Sequence, residues 1–412
     1  MSRLFATLLG LLCAPAALAC GQTTHVWVSL EAVQDLPPGE LRDLLTDPAL
    51  RDPFVNGTMF PDGGYAIDDA YGEQAHWEPF QQAWAASLRE RYGGDYSSLE
   101  ARQRVAFLLG MASHGMSDEV FDTLFFELSR QLDPDGHAGS LSFDTATDVT
   151  FAADVGGILA PEYWLPADEV VAVFAERIGY SVSQETVATG HQRLHAALAY
   201  TEWARQQEER LTTFSSAFPW AASHMADPAS PGSPPRQAPV IALYWQEILD
   251  RLHEDFQFDD PVLAMDPPDG TWGHPRDHGL VEARVVLTFG RGVEAASLGA
   301  IHVEDQDGAA VDLEVRHFYG DHSHTVVLRP QQDWALDARY TVTVEPGLLD
   351  FDGDATTSAW TASFSTEEAP PVEAPVGSDP VEEPPTTLCA LTGRQPVGLP
   401  LALLFPLLRR RR

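Results

Sequence analysis

The chain has 412 residues, room for two domains and tails, with a net charge of −36 and 25 basic residues that are all arginine. Such acidity argues against long-range attraction to nucleic acid or anionic membranes, so no nucleic-acid partner is expected, while metal ions stay compatible with it. Cys13 falls in an apolar leader and Cys20 and Cys389 sit near the ends, which excludes a disulfide framework and leaves stability to the core and to bound metal.

The N-terminus, "MSRLFATLLGLLCAPAALAC", joins a basic residue, an apolar run and the cleavage signal Ala17-Leu18-Ala19. It reads as a signal peptide over 1–19 that leaves Cys20 first in the mature chain. Acylation of Cys20 is the rival reading.

Residues 20–260 are rich in Ala and Leu at helical spacing and predict an all-α domain. His25 follows the mature N-terminus, Asp62 lies in "FPDGGY", and His76 in "HWEPF". A serine-capped helix is expected over 97–132. Within it "SHGMSDEVFD" sets His114, Asp118 and Asp122 at steps of four, on one helical face, straight after the apolar "VAFLLGMAS". Carboxylates carried into a core need a partner or a cation. The plainer alternative is an exposed acidic face with His114 as a hydrogen-bonded core histidine.

Further helices are expected over 167–179, 183–211 and 238–256, with a flexible loop at 226–239. "HQRLH" spaces His191 and His195 like a helical metal pair but lacks the glutamate of a metalloprotease. His137, after "DPDG", reads as a solvent-exposed loop histidine. No phosphate-cradling glycine loop, GxSxG elbow or cysteine zinc site occurs.

After about Asp260 the texture changes. "EARVVLTFG", "HTVVLRP", "RYTVTVEPG" and "AWTASFSTEE" alternate apolar and polar residues between turns and predict an all-β sandwich over 264–367. Residues 368–388 combine Pro and acid without aromatics, an extended linker. The 389–412 tail ends in an apolar run from Val397 to Leu408, broken by Pro400 and Pro406 and followed by four arginines. It falls short of the ~20 residues of a spanning helix.

Three resemblances follow. "CGQTTH", "FPDGGY" with "HWEPF", and "FLLGMASHGMSD", in this order and spacing, resemble the zinc-dependent phospholipase C family, within it the N-terminal domain of the glycosylphosphatidylinositol-specific phospholipases D. The likeness runs from Cys20 to about Phe256. It implies an all-α domain with two or three zinc ions hydrolysing phosphodiesters by metal-activated water. By this resemblance the Cys20 amine and carbonyl chelate zinc with His25. Asp62 binds a neighbouring ion and orients or deprotonates the attacking water, and His76, His114 and Asp118 complete the shell.

The chain departs from the family where Asp122 replaces a histidine, and where "FDTATDVTFAADVGG" offers Asp144, Asp148 and Asp154 with Thr150 at a histidine position. Asp122, Asp148 and Asp154 are therefore candidate ligands of an oxygen-rich site, in which one position suits a harder cation such as Ca²⁺, Mg²⁺ or Mn²⁺.

Leu287-Thr288-Phe289, Tyr340 to Val344, "LDFDGD" and Phe364-Ser365-Thr366 resemble bacterial Ig-like domains, which implies a spacer or binding module rather than an active site. The Cys389 tail resembles the myxobacterial type of C-terminal sorting tail and implies cell-surface display.

The expectation is thus a multidomain chain, an all-α zinc phospholipase C-like domain followed by an all-β Ig-like sandwich. It is a monomer acting on phospholipid or another phosphodiester at a membrane surface. A non-catalytic surface adhesin with a degenerate metal site, or a nuclease of the same fold, is the alternative.

Overall fold

The computed structural model describes residues 21–369 apart from 255, 321 and 322. The expected signal peptide, Cys20, the expected linker from Pro370 onward and the expected sorting tail lie outside the described residues. Among the described residues no helix is long and apolar enough to cross a membrane.

A helical region precedes a β domain. The helices that build the site are α1 (Gln22–Asp35), α2 (Arg51–Met59), α3 (Tyr71–His76), α4 (Glu78–Tyr92), α5 (Leu99–Val120), α6 (Phe143–Val155), α7 (Gln184–Ala204) and α8 (Pro234–Leu252). The centre is α5. Ser98 caps it by accepting from the Ala101 N–H at 3.2 Å, and nearly every residue from Val105 to Val120 is buried. A helix buried all round takes its stability from packing rather than amphipathicity. α5 continues through a wider π-type turn, Phe121–Phe126, into Glu127–Leu132.

Close packing needs small residues. A Cβ on Gly110 of α5 would stand 2.3 Å from the Phe54 carbonyl oxygen of α2, so the two backbones touch there. Trp245 of α8 closes the other side, its indole N–H donating to the Leu109 carbonyl at 2.7 Å.

Two expected helices differ in extent. The segment 183–211 ends α7 at Ala204 and restarts at Glu208, because Gln207 is extended (φ −105°, ψ 106°). The loop expected over 226–239 is half helix: α8 begins at Pro234 after Ser233. Proline is tolerated in the first helical turn, where its missing N–H has no partner to lose.

Among the described residues the β domain has seven strands: β1 (Val262–Asp266), β2 (Val285–Phe289), β3 (Ile301–Asp305), β4 (Leu313–His317), β5 (Thr325–Pro330), β6 (Arg339–Val344) and β7 (Trp360–Ser365). They form two antiparallel sheets, β1-β2-β5-β4 and β3-β6-β7. β6 alternates buried and exposed residues, as a strand with one wet face should. β2 is buried at all five positions. Its inner face meets the second sheet through Leu287 and Phe289, while Val286, with Val327 of β5, joins the core of the helical region. The continuous apolar run "VVLTF" is therefore a strand covered on both sides, and the β domain is packed into the helical one.

Candidate metal centre

Five side chains from four places in the chain meet beside α5. His25 comes from α1, Asp62 from a 3₁₀ turn after α2, His76 from the end of α3, and His114 and Asp118 from α5. His25 Nε2 is 3.1 Å from Asp118 Oδ1, and His76 Nε2 is 3.2 Å from Asp62 Oδ1 and 3.5 Å from Asp118 Oδ2. His114 Nε2 lies 3.3 Å from Asp118 Oδ2 and 3.7 Å from Asp62 Oδ1. The His25 and His114 rings stack with centroids 3.8 Å apart. All but Asp62 are at most 2% exposed; Asp62, at 15%, is the member nearest solvent.

Local packing sets these positions. A Cβ on Gly115 would fall 2.2 Å from the His76 carbonyl oxygen, so only glycine lets α3 approach this closely. The ring nitrogens facing away from the cluster meet main-chain carbonyls, His76 Nδ1 with Gly72 at 2.6 Å and His114 Nδ1 with Thr58 at 2.7 Å. A carbonyl accepts only, so each Nδ1 carries the proton and each neutral Nε2 offers a lone pair. Those Nε2 atoms stand 3.1 Å apart. Two lone pairs so close, flanked by two carboxylates, require a positive charge between them: a proton on one ring or a metal ion.

The electrostatics agree. Burial alone would raise the Asp62 and Asp118 pKa values, yet His114 and His76 hold Asp62 well below the carboxylate range. His25 and His114 hold Asp118 at about 2. Burial opposes a charge on His114, but Asp118 and Asp62 push it up to about 10. Three imidazoles, two of them anchored from behind by main-chain carbonyls, and two carboxylates form a donor set that fits zinc. Two ligand triads share His114: His25, His114 and Asp118, and Asp62, His76 and His114. The Gln22 amide donates to Asp62, a partner that sequence reasoning missed.

The remaining carboxylates lie outside this cluster. Asp122, one turn beyond Asp118 and 1% exposed, accepts from the hydroxyl of Tyr319, in the β4–β5 loop. Its Oδ1 is buried with no hydrogen-bond partner among the described residues. Burial and the Asp118 charge push its pKa well up. Asp148 of α6 is engaged by protein donors: Oδ1 accepts from the Thr24 N–H (2.7 Å) and hydroxyl (2.9 Å), and Oδ2 from the Thr201 hydroxyl (2.9 Å). It fastens α1 and α7 to α6. Asp154 is exposed on the last turn of α6, and Thr150 bonds the Ala146 carbonyl of its own helix. Cys20 lies outside the described residues.

His191 and His195 both meet Asn56 Oδ1, at 2.7 and 2.8 Å, and among the described residues neither pairs with a carboxylate. His137 is half-buried against Phe126, Phe143 and Phe218, with Ser129 bonded to its ring. In the "LDFDGD" turn Asp350 and Asp352 pair with Arg291.

Two further buried carboxylates join the domains, and no periodicity marks them. Glu78 opens α4 and meets Arg251 at 2.5 Å, Arg291 at 3.0 Å, His324 at 3.3 Å and the Gly292 N–H at 2.8 Å. Glu119, next to Asp118, accepts from the Ser323 hydroxyl at 2.6 Å and from the N–H groups of His324 and Thr325 at 2.8 and 3.1 Å.

Among known proteins, a family model described as a bacterial Ig-like domain matches residues 261–366. No curated protein matches the chain. The solved S-layer protein rSbsC is similar at 11% identity and TM-score 0.21, over 81% of this chain and 46% of that one. The N-terminal part of the bacterial S-layer protein SbsC matches at the same identity and TM-score, over 70% of this chain and 78% of that one. The chain thus spans under half of the first of these, and a likeness at that TM-score carries no argument.

Proposed function

We propose that this chain is an exported, surface-associated, metal-dependent phosphodiesterase that hydrolyses phospholipids. The supporting observation is the pair of Nε2 lone pairs from His76 and His114, 3.1 Å apart and flanked by Asp62 and Asp118. His25, His114 and Asp118 hold one zinc ion, and Asp62 and His76 hold a second beside it. A third position draws on the Cys20 amine or on Asp122. Bound divalent cations lower the pKa of water and neutralise a phosphodiester. Asp62, the cluster member closest to solvent, would orient the attacking water, whose proton the bound cations make labile. His76 and His114 keep their Nε2 lone pairs inward because the Gly72 and Thr58 carbonyls hold the opposite protons. The leader, the Ig-like domain and the Cys389 tail support export and a surface location.

A second reading, a surface adhesin with a degenerate site, draws on Asp148, whose oxygens are taken by Thr24 and Thr201, and on Thr150. Elemental analysis of the mature protein beside His114→Ala, with turnover of bis(p-nitrophenyl) phosphate and phosphatidylcholine vesicles, separates the two. Two or three zinc equivalents, fewer in the variant, with hydrolysis abolished in Asp62→Asn, are expected. A well-folded protein without metal or turnover would leave the adhesin reading.

A further inference from the structure

The β4–β5 loop places a side chain of the Ig-like domain against the helical site. Glu119, beside Asp118, gathers the Ser323 hydroxyl and the His324 and Thr325 N–H groups, and Glu78, two residues after His76, pairs with His324. This anchorage puts the Tyr319 ring 4.9 Å from the Trp77 ring, itself 5.8 Å from His76, and its hydroxyl on Asp122. The phenol is a single O–H donor. It holds one oxygen of Asp122, and the other is buried with no hydrogen-bond partner among the described residues, one helical turn from Asp118. A carboxylate held at one oxygen and bare at the other is the arrangement of a metal ligand oriented from behind.

We infer that Tyr319 of the Ig-like domain is a positioning residue of the metal site, orienting Asp122 towards a divalent cation, so that the site is complete only in the two-domain protein. The inference rests on the metallophosphodiesterase reading for its context, but its test does not require turnover. It gives the β domain a part in the chemistry beyond that of a spacer.

The test is zinc titration of the mature full-length protein against a chromophoric chelator, for wild type and Tyr319→Phe. The variant keeps the ring on Trp77 and removes only the donor. One zinc equivalent is expected to weaken by about 10–100-fold, the usual cost of losing an outer-shell partner, while the others hold. Melting in excess EDTA is expected to match wild type, which a merely structural tyrosine would not allow. Should Tyr319→Phe fail to fold, Asp122→Asn, which keeps an acceptor for the phenol, must lose the same equivalent. Unchanged affinities in the folded variants would overturn the inference. Zinc binding that depends on Tyr319 without hydrolysis of any diester would leave it standing and remove the phosphodiesterase reading. A wild-type protein that takes up no zinc would end both.

Discussion

The protein buries two ionic centres side by side, and they are neutralised differently. At the domain junction Glu78 is met by two guanidinium groups, a histidine and a main-chain N–H, so its charge is cancelled by the protein itself. Two residues away, the His25–Asp62–His76–His114–Asp118 cluster holds two carboxylates among three imidazoles, and His76 and His114 turn their Nε2 atoms to each other because main-chain carbonyls hold their Nδ1 protons. The first centre is closed and structural; the second lacks positive charge unless it takes up a proton or a cation. A buried carboxylate is thus no sign of function by itself; the chemistry of its partners separates the two cases.

The sharpest way to break this comparison is Glu78→Leu. It strands Arg251 in a buried setting, while Arg291 keeps Asp350 and Asp352, and removing one side of a buried pair costs about 3–5 kcal/mol; urea unfolding measures it. A loss near zero would mean that the junction is not buried in solution.

Acid should single out the same group. Burial would raise Glu78, but Arg251, His324 and Arg291 hold it at about 2, below its ordinary 4.5. Its contribution is present above about pH 4.5 and fades as pH falls towards 2, because the unfolded chain binds the proton first. The stake is on the order of 3 kcal/mol. The acid limb of the stability curve is expected to flatten in Glu78→Leu, and identical limbs would refute the assignment.

The second centre should respond to metal instead. Zinc at a hundred times its Kd stabilises a folded site by about 2.7 kcal/mol. Wild type is expected to gain of that order in calorimetry, and His114→Ala, which removes the ligand common to both triads, to lose most of it. Asp154→Asn sets the lower end: this exposed side chain should change stability by less than about 0.5 kcal/mol and leave zinc uptake as it is.

Legibility differed between these centres. The step of four between His114 and Asp118 is visible in sequence because helical periodicity puts both on one face. His25, Asp62 and His76 were indicated by motif order in a family resemblance, since residues 38–89 positions from His114 have no spacing rule. Asp148 was a reasonable ligand candidate on the same grounds, yet Thr24 and Thr201 converge on it only in three dimensions. Tyr319 left no signal. Its partner is 197 residues away, in another domain.

The β domain teaches the same lesson through its strands. β6 was readable because its alternation reports one wet face. The unbroken run of β2 says only that no face is wet, and the helices covering its outer side are known from the packing of Val286 and Val327.

The sequence alone determined the helical region, the β domain after it and the face that carries His114 and Asp118. These follow from local periodicity and composition, which act over a few residues. Tertiary structure decided which carboxylates are neutralised by arginine, which are tied up by threonine, and which face histidine lone pairs. It also decided that the β domain reaches Asp122 through Tyr319. Such outcomes depend on what lies within about 4 Å in space, and chain separation does not encode that distance.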